Sequence, residues 1–210
     1  MSNKRRRRLL HPDARRRELL DAAVAVFARK GYRRASISDI IAAADAARGT
    51  FYLYFKSKED VFLAILDDFQ ARLSAMLGEE AAVAATRAGD GRALLRDDIL
   101  RWLRFFERHR DATTILLKEA TSIDPQFEPA LAALRRIALD HLARRFRSMQ
   151  ARGLMRASLS PELMSHLQLG MFDQLLSALV LRPGWKVKLD VLADQLADFA
   201  WSGARSAAGE

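Results

Sequence analysis

Apolar residues recur every three or four positions along nearly the whole chain, and no segment alternates strictly between apolar and polar. The pattern predicts an all-α fold. Leu20, Val24 and Phe27 form the core stripe of a first helix over about 13–30, which Gly31 stops. Ile37, Ile40, Ile41 and Ala44 bury one face of a short second helix, with Ser36 or Ser38 as its cap and Asp39 at its positive end. Phe51 and Phe55 repeat the spacing in a third, leaving Arg48, Thr50, Tyr52 and Tyr54 on other faces. Ser57 then caps a long helix, about 58–77, with Val61, Phe62, Ile65, Leu66, Phe69 and Leu73 inward.

Beyond it, Gly78–Gly91 mixes Ala, Glu, Gly and Asp and reads as a connection with a turn at Gly89-Asp90-Gly91. Further helices are predicted at about 92–109, 111–121, 127–151, 161–181 and 188–203. Asp124-Pro125, Gly153, Ser160-Pro161 and Arg182-Pro183-Gly184 separate them. Three segments follow: a basic arm at 1–12, a three-helix domain at 13–57, and a larger helical domain at 58–210.

Two short helices around a tight turn, with polar and aromatic residues outward, are how a protein reads a DNA major groove. Arg48 and Thr50 stand at the start of the third helix, where Arg pairs bidentately with guanine. Gly49 lets that helix approach a duplex closely.

The stretch 36–60 resembles the N-terminal DNA-binding domain of the TetR family of bacterial regulators. The matching residues are Ser36, Ile40, Ala44, Gly49, Thr50, Tyr52, Tyr54, Phe55, Lys58 and Glu59, preceded by a first helix that exits at Gly31-Tyr32. Motif-level resemblance covers about 13–66. It implies a DNA-binding set of Ser36, Arg48, Gly49, Thr50, Tyr52, Leu53, Tyr54 and Lys58, with Tyr52, Tyr54 and Lys58 on phosphates. Two positions depart from the family pattern. Asp45 stands where the turn usually has Gly, and Ala47 replaces the Ser that caps the recognition helix, leaving it weaker or capped by Asp45.

Charge sharpens this picture. Residues 1–60 carry 15 Lys and Arg against 7 Asp and Glu, whereas the remaining 150 residues carry 20 against 19. A basic head on a near-neutral body fits a head that meets a polyanion. Arg5, Arg6, Arg7 and Arg8 form an arm suited to nonspecific or minor-groove contact, and Arg15–Arg17, Arg33 and Arg34 flank the site.

The second half supplies Trp102, Phe105, Phe106, His109, Phe127, Met171 and Phe172, with polar insertions at His141, His166, Gln168, Asp173 and Gln174. The resemblance makes this domain the binding place of a small-molecule effector, although aromatics at helical spacing also describe plain core. It also implies a homodimer through the last two helices, whose stripes are Leu163, Leu167, Met171, Leu175 and Leu179, then Val191, Leu192, Leu196 and Phe199. The expected function is a dimeric regulator, most often a repressor, that binds a palindromic operator in double-stranded DNA and is released by its effector. The alternative is an effector-less DNA-binding dimer whose C-terminal helices serve only dimerisation or a protein partner.

No nucleophile–base pair, phosphate loop or metal-ligand spacing appears, so an enzyme, a cofactor and a metal are not expected. There is no cysteine, no apolar run after the basic start, and no stretch long enough to span a bilayer. The expectation is a soluble cytoplasmic protein without membrane contact.

Overall fold

The computed structural model describes residues 11–86, 90–119, 125–181 and 187–204, all of whose regular elements are helical. They are α1 (Pro12–Lys30), α2 (Ile37–Ala43), α3 (Arg48–Tyr54), α4 (Lys58–Thr86), α5 (Gly91–Arg108), α6 (Arg110–Glu119), α7 (Glu128–Ala151), α8 (Pro161–Leu181) and α9 (Leu189–Ala204), with a 3-10 turn at Pro125–Phe127. The fold is all-α, with a helix-turn-helix head followed by a larger helical body. The arm residues Arg5–Arg8, the turn at 182–184, Gly89 and Asp124 lie outside the described residues.

Two compact units divide the chain, Met1–Ile65 and Leu66–Glu210. The boundary falls inside α4, not at the 57/58 loop read from the sequence. Val61, Phe62 and Ile65 are buried in the first unit, where Phe62 sits 6.1 Å from Phe27 and 4.9 Å from Tyr32. The start of α4 thus completes the small core of Leu19, Leu20, Ala23, Val26 and Phe27, while Val24 is only half-buried.

α4 also runs nine residues past the predicted end, through Gly78 to Thr86. One glycine costs a helix about 1 kcal/mol relative to alanine, and the Ala- and Glu-rich run that follows outweighs it. α5 starts where predicted because the side chain of Asp90 accepts from Arg92 N–H at 3.2 Å. The Ser160 hydroxyl caps α8 through Leu163 N–H at 3.2 Å.

Within the second unit, α9 is joined to α5 by an ionic seam. Asp190, Asp194 and Asp198, four residues apart on α9, face Arg92, Arg96 and Arg104 of α5. Arg92–Asp198 is 2.5 Å, Arg96–Asp194 2.7 Å and Arg104–Asp190 3.3 Å. The Asp194 and Asp198 carboxylates hold the two guanidiniums at 96 and 92 above their usual pKa. At one end of the seam the Trp201 indole fills the space where a side chain of residue 91 would stand, which requires Gly91.

Candidate nucleic-acid interface

The turn between α2 and α3 is built from α2's C-terminal hydrogen bonds. Ala46 N–H donates to Ile41 carbonyl at 3.1 Å and Asp45 N–H to Ala42 carbonyl at 3.3 Å, the paired bonds of a Schellman ending. This ending requires a left-handed residue, and Asp45 takes it with φ 45°. The Asp45 side chain does not cap α3. Its N-cap is Ala47, with no side-chain hydrogen bond.

Ser36, not Ser38, caps α2, in a reciprocal capping box with Asp39. The Ser36 hydroxyl donates to Asp39 Oδ2 at 2.9 Å and accepts from Asp39 N–H at 3.2 Å. Lys30 Nζ donates to the other oxygen, Oδ1, at 2.6 Å. These bonds, the lysine's first, hold the Asp39 carboxyl at a pKa of about 2. Ser36 gives its hydroxyl hydrogen and its backbone N–H to Asp39 within the chain.

Buried Phe51 and Phe55 fix which face α3 turns inward, with Ile40 of α2 also fully enclosed. Phe51 lies 5.9 Å from Phe55. The opposite face holds Leu53 at 80% exposure, Tyr52, Arg48 and Gly49, while Thr50 and Tyr54 are half-buried. The Arg48 guanidinium lies 5.9 Å from the Tyr52 ring centre. A Cβ at Gly49 would meet nothing within 4 Å, so packing within the chain does not demand glycine there. Arg16, on exposed α1 surface, rests 5.2 Å from the Phe55 ring centre. Arg15 and Arg17 pair with Glu18 and Asp21, and Arg34 donates to Lys30 carbonyl.

Lys58, expected from the resemblance to contact a phosphate, makes its hydrogen bonds here within the chain. Its Nζ donates to the Tyr32 and Ala35 carbonyls at 2.9 and 3.1 Å and lies 4.4 Å from the Tyr32 ring centre. Those carbonyls and the ring face offset the unfavourable position of a cation at a helix N-terminus. Beside it the Tyr32 hydroxyl donates to Glu59 Oε1 at 3.1 Å, and the start of α4 is closed by Ser57 and Asp60, which accept from Asp60 and Lys56 N–H groups. Backbone and Ser57 hydrogen bonds, with a smaller one from Tyr32, hold Glu59 below its usual pKa. Sequence reasoning missed this clamp because its acceptors are main-chain atoms more than twenty residues away.

Residues 19–65 match the profile of the bacterial regulatory proteins of the tetR family. That stretch of the chain is a tetR-family domain. The chain is 36% identical over 69 residues to the fatty acid metabolism regulator protein of Bacillus subtilis, a match covering 33% of this chain and 36% of that one. The chain thus spans about a third of that relative's length. Among solved structures, the fatty acid degradation regulator FadR of Bacillus halodurans superposes with TM-score 0.78 at 21% identity, covering 90% of this chain and 95% of the other. FadR from Bacillus subtilis, in complex with stearoyl-CoA, gives TM-score 0.75 at 21% identity over 89% and 98%. At these identities the TetR likeness beyond the head is one of fold.

In the TetR-like second unit, five of the seven predicted effector residues form one run of ring contacts. Trp102 lies 6.0 Å from Phe106 and 5.7 Å from Phe172, Phe105 lies 5.5 Å from Phe106, and His109 lies 4.7 Å from Phe105. Phe69 and His141 join the run. Trp102, Phe105, Phe127 and Phe172 are buried core, Phe127 at the turn before α7, while Met171 is half-buried on α8. A groove of about 380 Å³ between α7 and α8 is lined instead by charged residues, among them Arg135, Arg136, Arg144 and Arg147, and by none of the seven. Arg135 lies 3.8 Å from Asp173, whose carboxyl burial pushes up in pKa, and Arg147 pairs with Glu162. Among the described residues no group of three His, Asp or Glu side chains is placed to hold a metal ion, and no helix is long and apolar enough to cross a membrane.

Proposed function

We propose that this chain is a transcriptional repressor that binds a palindromic operator as a homodimer and is released when a small molecule enters the second unit. The observation that carries it is the outward face of α3 in a TetR-family head. Arg48, Gly49, Tyr52 and Leu53 are exposed together, while Phe51 and Phe55 anchor the helix from behind. Arg48 is the base-reading side chain, Tyr52 and the half-buried Tyr54 position the phosphate backbone, and the arm Arg5–Arg8 adds counterion release.

Dimerisation is supported by Leu163, Leu167, Val191 and Phe199, large apolar side chains left exposed on α8 and α9. Effector control is supported by the FadR neighbour that holds stearoyl-CoA. The effector acts only if it binds the DNA-competent and released arrangements with different affinity.

The experiment is a titration of the chain on DNA from upstream of its own gene, at fixed salt. Arg48→Ala and Tyr52→Ala, both at exposed positions, should abolish specific binding while the far-UV spectrum and melting temperature stay near the parent's. Specific binding retained in both variants would refute the reading. The effector-less alternative draws on one observation, the burial of Trp102, Phe127 and Phe172 in plain core. Release from DNA by a small molecule separates the two.

A further inference from the structure

α5 and α7 share two polar rungs inside the second unit. Asp98 and Trp102 stand four residues apart on α5, and His141 and Arg145 four apart on α7, so each pair lies on one helix face. Trp102 and His141 have ring centres 6.5 Å apart, and Arg145 Nη2 lies 2.5 Å from Asp98 Oδ2. The Asp98 and Arg145 side chains are each 11% exposed. Nη1 and Nη2 of Arg145 are shielded from water, and neither makes an aligned hydrogen bond to the described residues.

An ion pair taken out of water recovers its desolvation cost only when its other donors are satisfied, and apolar side chains of like volume commonly serve a core better. A guanidinium with N–H groups to spare, one helical turn from the Trp102–Phe172 contact, is thus poorly explained by stability. It is well explained as a fixed donor for something that enters.

Charge decides what enters. Asp98 already balances Arg145, so a carboxylate ligand would bury a net negative charge, whereas a neutral oxygen would take up the spare N–H groups at no such cost. We infer that the second unit binds an apolar molecule carrying a neutral carbonyl (ketone, lactone, ester or amide), whose oxygen accepts from Arg145 Nη1 while its body lies against Trp102 and Phe172. This rests on the reading of the second unit as ligand-binding, and it adds the class of ligand and the residue that selects it.

The test uses the full chain and three probes of one shape: 2-acetylnaphthalene, 2-naphthoate and 2-ethylnaphthalene, followed by calorimetry or ligand-observed NMR. The ketone should bind saturably, one per chain, and about tenfold or more tighter than either analogue. Arg145→Met alone leaves the Asp98 carboxylate buried without its partner and so risks unfolding. The decisive variant is therefore Asp98→Leu with Arg145→Met, which should melt cooperatively at or above the parent's temperature. In it the ketone should lose its advantage over the hydrocarbon. Tighter binding of the carboxylate, an unchanged ketone preference in the double variant, or no ketone binding up to its solubility would each overturn the inference. DNA binding is measured on the same samples. A parent chain that binds its operator but not the ketone sinks this inference alone, while one that binds the ketone but not its operator sinks the regulatory reading alone.

Discussion

Lys58 was legible as a basic residue at a helix start, but its partners were not. Its ammonium holds the Tyr32 and Ala35 carbonyls, joining the loop after α1 to the start of α4. Hydrogen bonds from a charged donor contribute about 1.5–3 kcal/mol, so Lys58→Met should lower the stability of the first unit by about that much in chemical denaturation. The slope of log affinity against log salt should stay unchanged, because no phosphate contact is lost. A slope smaller by about one would restore the phosphate role. Asp39 gives a pH prediction at the same scale. Its carboxyl sits at about 2 in the folded chain against an ordinary 3.8. Being depressed on folding, it contributes stability above about pH 4 and loses that contribution as pH falls through 2. Asp39→Asn should therefore be less stable than the parent at pH 6, and the difference should shrink steadily below pH 4. A gap that persists at pH 2 would show that the capping box, not the charge, is responsible.

At the scale of elements, most helices were legible because apolar spacing and cap residues are local signals. Ser36, Ser57, Asp90 and Ser160 each cap a helix at or beside its predicted start. The end of α4 was misread for an equally local reason. Gly78 looked like a stop, yet with nothing within 4 Å of its would-be Cβ it is an ordinary exposed glycine in a helix that Ala and Glu sustain. The α2–α3 turn has two suboptimal residues that the sequence did show. Asp45 occupies a left-handed position that glycine takes without steric cost, and Ala47 holds an extended N-cap position, φ −81° and ψ 150°, without a capping side chain. Asp45→Gly and Ala47→Ser should each raise the first unit's stability by about 1 kcal/mol, read as a higher denaturation midpoint at unchanged m-value. If Ala47→Ser has no effect, backbone or solvent already satisfies the α3 amides.

At the scale of the molecule, the division between a basic head and a near-neutral body was visible in charge alone. The contacts within the body were not. The α5–α9 seam joins residues about a hundred positions apart, with Arg92 and Asp198 separated by 106. Asp98 and Arg145 were passed over among many charges because only packing shows them to be buried. The apolar stripes of α8 and α9 were read as an interface, and part of the α9 stripe proves to be ordinary core: Leu192 is buried, while Phe199 is 77% exposed and Leu167 of the α8 stripe 58%. Buried and exposed positions therefore separate within the α9 stripe, and the exposed ones can be changed without opening the fold. Leu167→Glu with Phe199→Glu should cost the monomer little, since substitutions at exposed sites are usually within about 0.5 kcal/mol. In a self-complementary interface each charge would be buried twice, once per protomer. Sedimentation should then show a monomer, and affinity for a two-half-site operator should fall about 10²-fold or more, because the second head no longer binds at high effective concentration. Binding to a single half-site should be unaffected. A variant that remains dimeric would move the interface to another face, and one that is monomeric yet binds the full operator as before would show that one head is enough.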